Sequence, residues 1–329
     1  MKKRVLSGIR ATGKLHLGNY LGAVRGMLEL QNPSAGTGQV YETFYMVADT
    51  HTITTSYDIE ELRKNRREVI IDYLAAGLDP QKSVIFQQSE VPEHIELAFY
   101  FSSVTTIAKM QHLPTFKEKV KLHPQNATMA LLNYPVLMAA DILIYKAGLV
   151  PVGIDQEPHL EVAREIARRF NQDYKTDFPE PQRFKTEGEY VPSLTGEGKM
   201  SKSVEGSYIN LTDDLETIRK KIRAVPTADT SGGEMSEGIK TLFSLLKLFS
   251  VQSHDKFEKE YNSGRLQFVS LKDHLAEAIF KELEPIQKER KRLEQDTEYV
   301  DRIIKEGNQK AREVARRTIR EVREKMGLG

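Results

Sequence analysis

Ser7-Gly8-Ile9-Arg10-Ala11-Thr12-Gly13-Lys14-Leu15-His16-Leu17-Gly18-Asn19 is the stretch from which the rest of this 329-residue chain can be read. Val5-Leu6 before it reads as a short buried strand. From about Tyr20 onward, Leu21, Val24 and Leu28 recur at helical spacing. The stretch is therefore a strand, a Gly-rich turn and a helix start. Free backbone N–H groups and the positive end of a helix converge at such a turn and make a seat for an anion. Gly13 and Gly18 carry no Cβ, so a nucleotide can lie against the backbone. Taken alone, the stretch reads equally well as an ordinary βα turn.

The segments that follow alternate in type. Residues 43–48 read as a buried strand ending at Asp49-Thr50-His51-Thr52, and polar residues just past a strand's carboxyl end are where open α/β sheets hold ligands. His51 reads there as a pocket wall or structural residue rather than a base. Asp58, with Glu61 at the capping-box offset, starts a helix to about Ala76 that turns Leu62, Val69, Ile70, Tyr73 and Leu74 inward. Val84-Ile85-Phe86 is the next strand. This order predicts an α/β fold, a parallel sheet with helices on both faces. Helical segments of mixed polarity fill 93–110, and a basic loop runs to Gln125.

Residues 128–145 predict a helix so apolar that it must be buried. Pro135 lies inside it and should start or kink a turn. Asp141 is its one acid, and a buried carboxylate is costly unless something bonds to it. Nearby backbone or a helix start would satisfy it; so would a ligand. Tyr134, Met138 and Asp141 share one face. Residues 150–156 form a strand ending in a tight turn, and a helix follows over 158–170 with Leu160, Ala163, Ile166, Ala167 and Phe170 inward. Asp155 at that strand end suits ribose hydroxyls, or equally a helix N-cap.

Lys199-Met200-Ser201-Lys202-Ser203 sits in a Gly- and Ser-rich loop. Two lysines three apart, with small hydroxyl residues between them, suit a mobile loop closing on a polyphosphate. Beyond it the chain is helical, over about 212–223, 238–251, 271–292 and 298–325. The last of these aligns Val300, Ile304, Gly307, Ala311, Val314 and Val322 along one side. Arg312, Arg316, Arg317, Arg320, Arg323 and Lys325 alternate with Glu313, Glu321 and Glu324 elsewhere on it, the usual pattern of a solvated helix.

Composition narrows the class. The net charge is +1, so overall charge does not mark a nucleic-acid binder, although a local basic face still can. The absence of cysteine excludes disulfides, Cys-ligated zinc and iron–sulfur clusters. No run of apolar residues approaches a membrane span, and no signal-peptide pattern follows Met1-Lys2-Lys3-Arg4. A soluble cytoplasmic protein of two domains, without membrane attachment, is expected.

The order His16-Leu17-Gly18-Asn19, then Lys199-Met200-Ser201-Lys202-Ser203, resembles the two signatures of the class I aminoacyl-tRNA synthetases. Three stretches make the chain similar to the tryptophanyl-tRNA synthetase family in particular. They are Ser7 to Tyr20, the run Asn133-Tyr134-Pro135-Val136-Leu137-Met138-Ala139-Ala140-Asp141-Ile142-Leu143, and Val150 to Gln156 with His159 after it. The resemblance spans nearly the whole chain. It implies a Rossmann-type, doubly wound catalytic domain over 1–203 and a helical anticodon-binding domain over 204–329. It also implies a homodimer that activates L-tryptophan with Mg²⁺-ATP and then charges tRNA(Trp). No general base is needed, because the nucleophile is a carboxylate.

By the same resemblance, Lys199, Lys202 and Lys119 are the catalytic cations, stabilising charge on the triphosphate. ATP would lie against Arg10, Ala11, Thr12, His16, Gly18, Asn19, Gly153, Ile154, Asp155, Val191 and the loop Lys199, Met200, Ser201, Lys202 and Ser203. Tryptophan would lie against Gly8, His51, Tyr134, Met138, Asp141, Val150, Val152 and Gln156, with Asp141 accepting from the indole N–H. Indole only donates, and a carboxylate is the strongest acceptor available. The chain departs from the family pattern at Arg10-Ala11-Thr12, where many members have Gln-Pro-Ser. It departs again at Ile154, where a polar residue is usual, and at Thr115, where a Gln is expected. The apolar residues Leu97, Phe99, Tyr100, Phe101 and Val104 are expected in part to form the twofold interface. A tyrosine-specific synthetase, a small-molecule nucleotidyltransferase and a non-catalytic regulator are the alternatives. Amino-acid-dependent pyrophosphate exchange separates them.

Overall fold

Strands β1 (Lys3–Ile9), β2 (Tyr41–Val47), β3 (Ser83–Gln87), β4 (Leu149–Pro151) and β5 (Gln182–Phe184) form one parallel sheet in the order β3-β2-β1-β4-β5. The structure is a computed structural model, and it describes residues 2–33, 40–122, 127–186, 188, 190–202, 204–227 and 235–329. Ser203 and part of the basic loop before Gln125 lie outside the described residues. The chain leaves β1 in one direction to build β2 and β3, then returns to place β4 on the other side of β1. At such a switch point the connections diverge and open a crevice at the carboxyl ends of the strands.

The central strands are buried on both faces, so their residues divide between two cores. Val5, Tyr45, Val47 and Ile85 enter one, and Leu6, Phe44, Met46 and Phe86 enter the other. That explains why residues 43–48 read as a continuous apolar run rather than an alternation.

The helices are α1 (Leu17–Asn19) and α2 (Arg25–Gln31), joined by a π turn over Tyr20–Val24, then α3 (Asp49–Thr52), α4 (Ile59–Ala75), α5 (Glu93–Ser102), α6 (Ile107–His112), α7 (Pro114–Leu122), α8 (Met129–Ile144) and α9 (Glu157–Tyr174). In the second half come α10 (Leu215–Arg223), α11 (Glu237–Phe249), α12 (Val251–Asn262), α13 (Phe268–Gln295) and α14 (Thr297–Met326). The cap expected at Asp58 is present, and Asp214 makes a second of the same kind. Asp58 accepts from Glu61 N–H at 2.8 Å, and Asp214 accepts from Thr217 N–H at 2.8 Å. Pro135 neither starts nor ends its helix; α8 runs through it.

Two features of the packing could not be read from the sequence. Leu97 and Phe101 are wholly buried, because α5 packs against α8 and adds them to the second core. They are unavailable to any partner, and of that segment Phe99 is the exposed residue, at 77 %. The last helix joins both cores. It starts with α10 to α13 in the first, through Val300 and Ile303, then packs along β3 and sends Ala311, Val314, Ala315, Ile319 and Val322 into the second.

Candidate active site

A cavity of about 440 Å³ opens at the switch point, lined by the carboxyl ends of β1, β2 and β4 together with α8. The local sequence explains the turn beside it. His16 is the N-cap of α1: its Nδ1 accepts the Gly18 N–H at 3.0 Å, while Asn19 Oδ1 accepts the His16 N–H at 3.2 Å. This reciprocal cap uses up two of the donors that a helix start leaves over. A Cβ at position 18 would lie 2.8 Å from His16 Cε1, so only glycine admits the capping ring. Burial, with Lys202 and Lys199 adding to it, lowers His16 to about 4. The ring is thus neutral at pH 7. Since Nδ1 is the acceptor, its proton sits on Nε2, where it can be donated to a ligand.

Gly8, Arg10, Gly18, Asn19, His51, Lys119, Tyr134, Met138, Asp141, Val150, Val152, Gly153, Asp155, Gln156 and Lys199 all line the cavity. The other candidates do not. Ala11, Val191 and Met200 are buried beside the site, and Val191 C=O accepts the Met200 N–H at 2.8 Å. Ile154 is 52 % exposed beside the cavity-lining residues Gly153 and Asp155. Thr12 is exposed, and its carbonyl accepts from Lys202 Nζ at 3.3 Å. The Ser201 N–H donates to Ser207 Oγ at 3.3 Å, which helps shape the loop.

Around Asp141 the cavity is closed and highly polar. The carboxylate is fully buried and satisfied by side chains from three other elements, not by backbone or a helix start. Oδ2 lies 2.7 Å from His51 Nε2, and Oδ1 is 2.7 Å from Gln88 Nε2 and 2.5 Å from His94 Nδ1. His94 Nε2 in turn meets the Tyr145 hydroxyl at 2.8 Å. Burial pushes the Asp141 carboxyl up, but the two imidazoles outweigh it and hold the group below the usual carboxylate range. One lone pair remains on Oδ2. Tyr134 and Met138 stand on the same face of α8, half-buried. The Tyr134 hydroxyl is 2.6 Å from His159 Nε2, which also meets Thr115 Oγ1 at 2.9 Å. Thr115 therefore anchors His159.

Around the loop the cavity is cationic. Lys199 Nζ donates to Asp155 Oδ1 at 2.9 Å across the cleft. Burial raises Asp155, but Lys199 outweighs it and keeps the group ionised. Lys119 lies 4.8 Å from the centre of the Tyr134 ring, and burial lowers its pKa, with Arg10 second. Among the described residues neither Arg10 nor Lys119 has a carboxylate partner. Cations placed in a partly closed cleft suit an anionic ligand, which would replace the partners that Lys199 and Lys202 now hold.

Gln88 and His94 escape the sequence reading. The rule of polar residues past a strand end, applied to β3 as it was to β2, finds Gln88. No local signal finds His94, because its role depends on α5 meeting α8.

The comparisons agree with this geometry. The family model for class I tRNA synthetases (W and Y) matches residues 1–284. A tryptophan–tRNA ligase of Porphyromonas gingivalis is 41 % identical over 98 % of this chain and 99 % of its own length. Among solved structures, the tryptophanyl-tRNA synthetase of Mycoplasma pneumoniae superposes with a TM-score of 0.86 at 32 % identity, covering 100 % of this chain and 99 % of that one. That of Campylobacter jejuni, complexed with ADP and tryptophan, gives 0.82 at 32 % identity, covering 99 % of this chain and 100 % of that one.

Proposed function

This chain belongs to the class I tRNA synthetases of the W and Y family, and we propose on that premise how its cavity serves a tryptophan–tRNA ligase. It activates L-tryptophan with ATP, releasing pyrophosphate, and transfers the tryptophanyl group from the adenylate to its tRNA. The observation that carries the amino-acid reading is Asp141, held ionised at the closed part of the cavity with one acceptor position left and a tyrosine and a methionine on the same helix face. An indole N–H is the donor that position fits. ATP lies against the turn His16–Asn19, with Gly153 and Asp155 near its ribose and Mg²⁺ entering with its phosphates as part of the substrate.

The chemistry is mainly positioning and charge stabilisation. The tryptophan carboxylate attacks the α-phosphorus, and the bond from that phosphorus to the α,β-bridging oxygen breaks, so that the β- and γ-phosphates leave together as pyrophosphate. Lys199, Lys202 and Lys119 stabilise charge on the departing pyrophosphate. Residues 1–203 form the catalytic part, with α14 docked against it, and the helices from α10 to α13 serve the anticodon. The test is ATP–pyrophosphate exchange with each of the twenty amino acids, followed by charging of tRNA. Tryptophan alone should support rapid exchange; exchange driven by tyrosine instead would overturn the reading.

The active form is a homodimer in the cytoplasm. Phe99, Ile107 and Met129 are exposed around one groove, more apolar surface than isolated residues would give. Among the described residues no helix is long and apolar enough to cross a membrane. Sedimentation at micromolar concentration should give twice the 37.5 kDa of one chain, and Phe99→Glu should shift it to one.

A further inference from the structure

Arg290 on α13 is 3 % exposed, unusual for an arginine. Its guanidinium forks onto Asp72 and Glu68, both on α4. Asp72 is fully buried, and its second oxygen, Oδ2, accepts the backbone N–H of Leu15 at 2.8 Å. Leu15 is the residue through which the chain enters the turn His16–Asn19. Its carbonyl is held too, accepting the Leu211 N–H at 3.0 Å, and the Leu211 carbonyl accepts from Gln287 Nε2 at 2.8 Å. Both polar groups of Leu15 are thus tied, at one remove, to the same helix.

A buried ion pair is a poor way to gain stability, because desolvation offsets its attraction and two apolar side chains can fill the space as well. What apolar side chains cannot do is accept the Leu15 N–H and fix its direction. We propose that Asp72 and Arg290 are positioning residues for adenylate formation, setting the turn that takes ATP through the Leu15 amide. Arg290 holds one oxygen of the carboxylate, and the other is thereby aimed at the backbone. This rests on the reading of that turn as the nucleotide seat.

The test is the double variant Asp72→Leu/Arg290→Met, which removes both charges together and avoids leaving either unpaired in the interior. Its tryptophan affinity, measured by calorimetry without ATP, should match wild type, while its urea midpoint should fall because the Leu15 N–H is left without an acceptor. Its pre-steady-state adenylate formation should be about 10- to 100-fold slower, with KM for ATP raised, since a small misplacement of a reacting group has that effect. Wild-type ATP kinetics in the folded double variant overturn the inference. If the double variant does not fold, Arg290→Lys gives the reading, because it keeps the charge without the fork. A slower ATP step at an unchanged urea midpoint supports the inference, and an unslowed one overturns it. His16→Ala, measured alongside, reports on the turn itself. Unchanged ATP kinetics there overturn the nucleotide seat and this inference with it. Changed kinetics there beside an unchanged double variant overturn the inference alone.

Discussion

Lys202 shows how one side chain can be charged for one task and poised to lose that charge. Burial lowers its pKa to about 8, against which the Asp72 carboxylate pulls only weakly. In the free enzyme it therefore loses its proton as pH rises through about 8, and with it the charge that would meet the phosphates. The value of kcat/KM for ATP reports the free enzyme, so it should fall above pH 8 in wild type. In Lys202→Arg, whose guanidinium stays charged, that alkaline limb should be absent; a limb that persists there would assign the titration elsewhere. Lys199→Ala and Lys202→Ala should each slow adenylate formation by about 10²–10³-fold, as loss of a single charge-stabilising donor does, with tryptophan affinity little changed. Asp141 acts on the other substrate. Asp141→Ala should abolish tryptophan activation while ATP binding stays near wild type, and an indole analogue without the N–H should be a poor substrate. Equal use of that analogue and tryptophan would show that Asp141 does not read the N–H. At this scale the sequence was informative where an odd residue stood in a uniform setting, as Asp141 does on α8. It was silent on His94, because its task is set by two helices, α5 and α8, that meet only in the folded chain.

Among the elements, those with a strong internal pattern were legible and their partners were not. The apolar side of α14 was readable from its spacing, Gly307 included, but the surface that it covers was not. Gly307 is where α14 crosses β3, and a Cβ there would overlap the Ile85 carbonyl oxygen. Backbone cannot move aside as a flexible side chain can. Gly307→Ala should therefore destabilise the protein by about 1–3 kcal/mol, as overpacking does, seen as a lower urea midpoint with an unchanged slope. An unchanged midpoint would mean that α14 can lift from the sheet at little cost. The same contact pairs two arginines: Arg312 and Arg316 both donate to Glu93 Oε1, at 3.0 and 3.1 Å, while staying largely solvated as the charge alternation implied. The end of α11 was read within two residues, but α12, over Val251–Asn262, was missed altogether. A single non-helical residue, Ser250, separates the two helices.

Across the whole molecule, the α/β order and the cleft at the switch point followed from the alternation of segments, since only one hand and one side of the sheet satisfy it. The depth at which polar groups would be buried did not follow, and that depth governs how the protein responds to acid. Burial lowers His16 and His159 to about 4 from an ordinary 6.5, with nearby lysines adding to the effect. Between those values the unfolded chain takes up a proton at each and the folded chain does not. Stability contributed by the two neutral rings is thus full above 6.5 and lost as pH falls toward 4. Asp72 works in the opposite sense. Burial raises it to about 6 from 3.8, despite Arg290, so the folded state takes up its proton first and is favoured as pH falls through 6. Two groups against one leave a net loss of stability across this window. Below 3.8 the loss continues, because the unfolded chain then protonates its Asp141 carboxyl while the folded chain, which holds that group down to about 2, does not. The urea midpoint should therefore fall steadily from pH 6.5 to 4. The gap between wild type and His159→Gln should narrow over the same range, since the variant has already given up what acid removes. A gap that stays constant, or widens, would mean that His159 is not held neutral by its burial beside Tyr134 and Thr115.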